Sequence, residues 1–332
     1  MNQREDILSL FNGQRPVQVP CFSGLIHVTA AGLDSVGLKL HETHTDAGRM
    51  ARAAASTYRL AEFGSAAVPL DLCVEAEALG TEVDFRVGSS SLEFPRVAKP
   101  LFDNCEKVDT RNAKEGRIPL VCEAIRLLKD DIGKEVVIGA WVPGPYTLLS
   151  LLIKPEALML DLKRSPASVH VALDKMADMV TRSALAYRRA GADILTVHEM
   201  GGSPGVLGPK RFETFVLPPL QKVLASIPYP RILSVCGNTN GTMPLLAKAG
   251  ADAINVDQVN DIVASRAALP DTLLFGNIDP VGVLANGTEA EVCWAVSAAI
   301  AAGVDAIWPG CDLYPLTPIE NLRIMIAATR EG

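Results

Sequence analysis

Short apolar runs alternate with longer amphipathic segments along most of this chain. The amphipathic segments, such as residues 165–193, carry apolar residues at intervals of three and four, which predicts helices. The apolar runs are continuous rather than alternating, as expected for parallel strands covered on both faces. Eight runs are predicted as strands: VQVPCF (17–22), SAAVPL (65–70), EVVIGAW (135–141), DILTVHE (193–199), RILSVC (231–236), DAINVD (252–257), TLLFGN (272–277) and DAIWPG (305–310).

One local phrase recurs where a helix leads into a strand. It stands as RRAGADIL (188–195), AKAGADAI (247–254) and AAGVDAIW (301–308), in each case a helix end, a glycine, an aspartate and an apolar run. Eight strands joined in this way predict an α/β fold, a TIM-like (β/α)8 barrel, with an N-terminal extension and a loop excursion around 80–120 that has strands of its own. We expect one barrel domain over 1–332. No GxGxxG follows the first strand, which argues against a dinucleotide fold.

Composition narrows the functional classes. The chain of 332 residues is 48% hydrophobic and has a formal net charge of −7, which argues against a general nucleic-acid surface. No apolar run approaches the roughly 20 residues of a membrane span, and the N-terminus lacks the apolar region of a signal peptide. The seven cysteines are odd in number and form no CxxC pair, so we expect reduced thiols and a cytoplasmic protein.

In a barrel of this class, catalytic groups lie at the C-terminal ends of the strands and in the loops that follow them. Cys236 and Cys311 both occupy such positions, beside glycines that let a ligand approach the backbone. With a carboxylate or imidazole, two thiolates would make a zinc site with one open position, where a substrate thiol is deprotonated near neutral pH. The alternative is that both cysteines are small apolar residues of the rim. The polar and cysteine residues at these positions are Asp71, His198, Glu199, Cys236, Asp257, Asn277, Asp279, Cys311 and Asp312.

His198 and Glu199 follow each other at the end of the fourth run. Two interpretations stay open for them. They form a ligand or acid–base pair, or His198 is a strand-end residue bonded to a loop carbonyl.

Four segments resemble the uroporphyrinogen decarboxylase superfamily, and most closely its methylcobamide:coenzyme M methyltransferase branch. They are PLDLCVEAEALG (69–80), VCGNTNGTMPLLAKAGADAINVD (235–257), LFGNIDPVGVL (274–284) and AGVDAIWPGCDLYPLTPIENLRIMI (302–326). The resemblance covers nearly the whole chain. It implies a methyltransferase that takes a methyl group from a methylated corrinoid, methylcobamide or methylcobalamin, on a transiently bound corrinoid carrier protein. The implied acceptor is a small thiol such as coenzyme M, or tetrahydrofolate.

The resemblance also implies a zinc site. In that branch a His-x-Cys pair and a distant cysteine hold the metal beside an acidic residue; these positions correspond here to Cys236, Cys311 and Asp257, and the histidine position is Ser234. Either Asp257, His198 or Glu199 completes the site, or the metal is lost, which would suit a folate nitrogen as acceptor. We expect weaker zinc binding than the family pattern gives, and tighter binding in Ser234→His, because imidazole is the better ligand.

Further roles follow from the strand-end and loop positions together with the resemblance to the superfamily. His198, Glu199, Asp71 and Asp257 are the expected catalytic residues, and Asn238, Asn277 and Tyr146 the expected cofactor- or substrate-binding residues.

Asp71 and Tyr146 also match residues of the decarboxylase branch. That branch carries two arginines after the first strand for the porphyrinogen carboxylates, whereas this chain has none in VPCFSGLIHV (19–28). Uroporphyrinogen decarboxylase is therefore the alternative, and a non-catalytic corrinoid-binding barrel is a further one. A carrier-bound corrinoid also predicts a wide, open rim that is not strongly basic.

Overall fold

The computed structural model describes residues 3–89 and 92–330. Within them, seven parallel strands form one curled sheet in the order β1-β4-β5-β6-β7-β8-β9, and β2 and β3 form a separate antiparallel pair. The strands are β1 (Ser65–Val68), β2 (Val83–Asp84), β3 (Arg96–Val97), β4 (Val137–Pro143), β5 (Ile194–Glu199), β6 (Arg231–Val235), β7 (Ala253–Val256), β8 (Leu273–Ile278) and β9 (Ala306–Pro309).

The helices lie between the strands, as a (β/α)8 barrel requires. They are α1 (Gln3–Phe11), α2 (Ala30–Ser35), α3 (Ala47–Ala61), α4 (Val74–Ala78), α5 (Ile118–Ile132), α6 (Pro145–Leu152), α7 (Pro155–Arg164), α8 (Pro166–Ala190), α9 (Pro204–Leu207), α10 (Pro209–Arg211), α11 (Leu217–Ser226), α12 (Met243–Ala247), α13 (Ile262–Ala268), α14 (Glu289–Ala302) and α15 (Ile319–Ala328). Short 3-10 turns occupy Leu40–Thr43, Cys105–Lys107 and Asn240–Thr242, and a π-helical turn occupies Phe212–Val216. No helix in the described ranges is long and apolar enough to cross a membrane.

The segment around Cys21 closes the barrel between β9 and β1. The Phe22 N–H donates to the Ile307 carbonyl at 3.1 Å, and the Gly64 N–H donates to the Cys21 carbonyl at 3.2 Å. The predicted strand over 17–22 is wrong in extent, because only Cys21 forms a ladder bridge. Pro20 has no N–H to donate, which shortens the ladder there. The other seven predicted strands, the barrel class and the excursion with its own strands are confirmed.

The recurring Gly-x-Asp phrase has a clear physical role. Its glycines end helices with a positive φ, 116° at Gly191 and 103° at Gly303. Each of its aspartates accepts a hydrogen bond from a backbone N–H of the neighbouring strand. The pairs are Asp193 with Ile138 N at 2.9 Å, Asp252 with Arg231 N at 2.8 Å and Asp305 with Leu274 N at 2.8 Å. The phrase therefore fixes helix ends to strand starts on the face opposite the rim.

The strand register sets up the site. His198 on β5 lies opposite Ser234 on β6, which in turn lies opposite Asn255 on β7. Register partners carry their side chains on the same face of a sheet. These three residues therefore form one row near the C-terminal rim of the barrel.

Candidate metal centre

Three side chains from different strands meet at the C-terminal rim. His198 ends β5, Cys236 follows β6 and Cys311 follows β9. Cys236 Sγ lies 3.0 Å from His198 Nε2 and 3.0 Å from Cys311 Sγ, and Cys311 Sγ lies 3.8 Å from His198 Nε2. Among the described residues, these three side chains are the group of histidine, cysteine and acidic residues able to share a metal ion. We refer to them as the rim trio.

The rim trio fits a zinc ion. One imidazole and two thiols are ligands that Zn²⁺ prefers, and three protein ligands with one open position are typical of catalytic zinc. The Sγ–Sγ separation of 3.0 Å is shorter than the roughly 3.8 Å between two sulfurs that bind one tetrahedral zinc at about 2.3 Å. A small outward movement of either thiol would meet that distance. His198 is buried, whereas both cysteines are half-buried, so the open position would face the rim.

The proton distribution in the rim trio favours a thiolate. The hydrogen bond from Cys236 lowers the pKa of Cys311; burial opposes this effect and the contact with His198 reinforces it. Burial would lower the pKa of His198, but its hydrogen bond and attraction to Cys311 outweigh burial and raise it. The same hydrogen bond, together with burial, raises the pKa of Cys236, so the trio favours one thiolate, on Cys311, and a metal ion would have to displace the proton of Cys236.

Asp257 lies beside the rim trio but does not belong to it. Its two carboxylate oxygens accept the backbone N–H groups of Gly237 and Gln258, each at 2.7 Å. It therefore ties the loop after β6 to the loop after β7. Burial raises the pKa of Asp257 despite these two hydrogen bonds.

Ser234 lies next to the rim trio in the same row. Its hydroxyl oxygen accepts a hydrogen bond from Asn255 Nδ2 at 3.0 Å. The nitrogen atom that lies near the two sulfurs belongs to its register partner, His198. Of the third ligands considered from the sequence, the structure thus brings His198 to the two sulfurs.

Glu199 points away from the rim trio, because successive strand residues face opposite sides. Its carboxylate accepts hydrogen bonds from the Thr147 hydroxyl, the Gly202 N–H at 2.9 Å and the Tyr146 N–H at 3.2 Å. Burial raises its pKa in spite of these bonds. Glu199 therefore joins the loop after β5 to the start of α6, and Tyr146 lies buried at that junction.

Asp71 belongs to a different buried cluster. Arg117 donates to both of its carboxylate oxygens at 2.6 and 3.0 Å, the Cys73 N–H donates at 2.9 Å, and His44 Nδ1 lies 3.1 Å away. Burial would raise the pKa of Asp71, but the hydrogen bonds from His44 and Arg117 outweigh burial and hold it well below its usual range. Its carboxylate is fully engaged.

The two predicted asparagines have different surroundings. Asn277 Nδ2 donates to the Asn260 carbonyl at 3.0 Å and so braces the loop after β7. Asn238 is exposed in the loop after β6, and its amide oxygen accepts the Asn240 N–H at 3.1 Å.

Asp312 was one rim residue among several in the sequence, with no role predicted for it. Its Oδ1 accepts the Ile26 N–H at 3.1 Å, and burial raises its pKa to about 6. Its position directly after Cys311 is the only signal that the sequence offers.

Comparisons with known proteins show what this chain is similar to. The family described as "Uroporphyrinogen decarboxylase (URO-D)" matches residues 2–332. The methylcobamide:CoM methyltransferase MtaA of Methanosarcina barkeri is 29% identical, over 98% of this chain and 96% of its own length. The corresponding MtbA of Methanosarcina acetivorans is 30% identical over 91% of this chain and 90% of its own. A uroporphyrinogen decarboxylase of Legionella pneumophila is 27% identical over 79% of this chain and 76% of its own.

Solved structures show similarity as well. A methyltransferase from Methanosarcina mazei superposes with a TM-score of 0.93 at 26% identity, covering 100% of this chain and 99% of that one. The family resemblance and the fold expected from the sequence are confirmed.

Proposed function

This chain belongs to the uroporphyrinogen decarboxylase family, and from that premise we propose that it transfers a methyl group from a methylated corrinoid to a small thiol. The rim trio is the observation that carries the proposal. The relatives named as methylcobamide:CoM methyltransferases, 29% and 30% identical, support the same chemistry. Coenzyme M is the thiol in their names, and the identity of the acceptor here is part of what the test decides.

His198, Cys236 and Cys311 would hold a zinc ion. When bound, Zn²⁺ would offer an open position at which a thiol loses its proton near neutral pH. The chain contributes the three ligands, and it directs them toward the rim from three separate strand ends. Asp257 and Asp312 interact electrostatically with Cys311 and would, when ionised, add negative charge that favours a bound cation.

The transfer is a displacement at carbon. The sulfur lone pair of the acceptor forms a new C–S bond with the methyl carbon, while the Co–C bond breaks and both of its electrons stay on cobalt. Methyl-Co(III) becomes Co(I), and the proton of the acceptor thiol is released to solvent. The rim must therefore admit the cobalt face of a corrinoid, and a separate carrier protein that leaves for remethylation is the partner this requires.

The decarboxylase alternative has less support. A porphyrinogen carries several carboxylates, which need cationic partners. The segment that follows the barrel-closing residue Cys21 contains no arginine over 22–31. Arg117 is already bound to Asp71 and Glu77. Asp71 itself is held by Arg117 and is not free for a pyrrole.

The test combines metal analysis with turnover. Protein purified without chelators is assayed for zinc, then incubated with methylcob(III)alamin and, separately, 2-mercaptoethanol, coenzyme M or tetrahydrofolate. We expect about one zinc per chain, appearance of the Co(I) absorption and a methylated thiol by mass spectrometry. Cys236→Ala should lose both, whereas Cys293→Ala, which removes a half-buried cysteine of α14, should keep both.

Three other results would redirect the proposal. Methylation of tetrahydrofolate alone, without zinc, would favour the folate acceptor. Decarboxylation of uroporphyrinogen without methyl transfer would favour the decarboxylase. Binding of methylcob(III)alamin with no turnover of any acceptor would favour a non-catalytic corrinoid-binding barrel.

A further inference from the structure

We propose that Ser234 and Asn255 position the His198 imidazole for metal binding, through one ordered water molecule in the barrel interior. The inference rests on the metal site under the proposed function. It assigns a role to the serine that stands where the family resemblance places a zinc-binding histidine.

His198, Ser234 and Asn255 form one row across three neighbouring strands, as successive register partners on β5, β6 and β7. Their side chains therefore face the same side of the sheet, and His198 shows that this side is the barrel interior. All three residues are at most 1% exposed. Polar atoms buried this deeply need a partner in the protein or in buried water. Asn255 Nδ2 donates within the row to Ser234 Oγ and also lies 3.4 Å from the Gly310 carbonyl oxygen.

One ring nitrogen of His198, Nδ1, has no hydrogen-bond partner in the protein. His198 Nε2 faces the two sulfurs, so Nδ1 is the nitrogen that must carry the proton when the ring binds a metal. A metal-binding histidine almost always donates this second N–H to an acceptor. Here Nδ1 is buried and has no protein partner within hydrogen-bond distance. The ring of Trp141, whose centroid is 6.0 Å away, offers no acceptor.

Two hydrogen-bond acceptors, Ser234 Oγ and Asn255 Oδ1, lie in the same row. Ser234 Oγ accepts from Asn255 Nδ2 at 3.0 Å and keeps a second lone pair. Asn255 Oδ1 is buried without a partner. A water that accepts from His198 Nδ1–H and donates to Ser234 Oγ and Asn255 Oδ1 would make three hydrogen bonds, the usual number for a buried water.

This arrangement has one consequence for the metal. Holding the proton on Nδ1 leaves the Nε2 lone pair directed at the site that the two sulfurs share, and it fixes the plane of the ring. Loss of such an outer hydrogen bond typically weakens metal binding by about 10- to 100-fold. Ser234 and Asn255 are positioning residues, since neither contacts the sulfurs or the substrate.

The experiment measures zinc affinity by competition with a chromophoric chelator. Ser234→Ala and Asn255→Ala should each weaken zinc binding by about 10- to 100-fold. Because the two residues act through one water, the double variant should bind zinc about as weakly as either single one. Ser234→Thr keeps the hydroxyl and should retain most of the affinity. Ser265→Ala, which removes a hydroxyl on a buried residue of α13, is the matched control.

Two readouts separate positioning from a merely structural role. The absorption spectrum of the Co²⁺-substituted protein reports ligand geometry, and it should shift in Ser234→Ala and recover in Ser234→Thr. The unfolding midpoint of each metal-free variant reports the fold. Unchanged zinc affinity and an unchanged Co²⁺ spectrum in both alanine variants would overturn the inference, whatever their midpoints. Failure of the unmodified protein to bind zinc would instead overturn the proposed metal site.

Discussion

Two buried polar clusters lie at the same C-terminal end of the barrel, and they differ in how their atoms are paired. In the Asp71 cluster, the carboxylate accepts from Arg117 and the Cys73 N–H and lies beside His44. In the rim trio, the imidazole and the two thiols face one another, at separations of 3.0 to 3.8 Å.

The difference in pairing separates structure from function. Both carboxylate oxygens of Asp71 have donors and the carboxylate is paired with the Arg117 cation, which is the pattern of a structural ion pair. The His198 Nε2 and the two sulfurs of the rim trio are hydrogen-bonded to one another, and a metal ion could take the place of the protons that they share. Burial alone does not distinguish the two clusters, since Asp71 and His198 are both buried.

Removing one sulfur should have the largest effect. Cys236→Ala takes away one of the two proposed thiolate ligands, and the loss should exceed the roughly 100-fold that loss of an outer hydrogen bond can cost. We expect no bound zinc after dialysis and no methyl transfer to a thiol. Zinc analysis and the Co(I) absorption assay measure both quantities.

A specific result would erase the distinction between the two clusters. If Cys236→Ala retained full turnover with its methyl acceptor, the rim trio would not be a metal site. A methyl transfer without metal, such as to a folate nitrogen, would then be favoured. Cys293→Ala controls for the general loss of a thiol.

The sequence predicted the barrel and the strand-end positions of these residues, but not which side chains contact one another. Continuous apolar runs and the Gly-x-Asp phrase predicted the barrel, because each reflects local physics: two-sided burial and a helix end fixed to a strand start. Cys236 and Cys311 were predicted at one rim because parallel strands of a barrel all end on the same face.

The rest depended on register and direction, which a single sequence does not reveal. His198 and Glu199 are neighbours in sequence, yet only His198 faces the sulfurs. Arg117 is 46 residues from Asp71, so nothing local linked the two. Asp257 was expected as a ligand from the resemblance, and its carboxylate instead accepts two backbone N–H groups.

Breaking the other cluster should change stability and leave the metal in place. Arg117→Met leaves the Asp71 carboxylate buried with its main cation removed, which typically costs about 3–5 kcal/mol of unfolding free energy. Denaturant unfolding measures the loss. Arg59→Met, which removes an exposed pair with Asp131, should cost no more than about 1 kcal/mol. Loss of zinc at full stability in Arg117→Met would place Arg117 and Asp71 in the active site.

Exchanging His198 and Ser234 tests whether the proposed nitrogen ligand can come from β6 as well as from β5. His198→Ser removes a proposed direct ligand, so it should weaken zinc binding by more than the roughly 100-fold that loss of an outer hydrogen bond can cost. The loss should still be smaller than for a thiolate, because water or a nearby carboxylate can take the vacated position. Adding Ser234→His to this variant should recover much of the affinity, since residue 234 lies directly opposite residue 198 and on the same face as Cys236. Chelator competition provides the measurement. No recovery in the double variant, with the fold intact, would show that only β5 can supply the nitrogen.

The smallest expected effect is the part of the pH dependence of stability that the Asp71 ion pair contributes. The pKa of Asp71 lies below its ordinary value of about 3.9, so its ion pair contributes stability that is fully present above that pH and is lost as the pH falls below it. Asp71→Asn removes the charge at every pH. The stability difference between the unmodified protein and this variant should therefore be constant from neutral pH to about pH 5 and shrink below about pH 4. Urea unfolding of both proteins across this range, under the same metal-free conditions, measures the difference, and the contributions of the rim trio and other titrating groups cancel in it. A difference that stays constant down to pH 3, or grows, would mean that Asp71 is not held ionised by Arg117 and His44, and the contrast between an ion-paired cluster and a cluster of thiols and imidazole would fail on the ion-paired side.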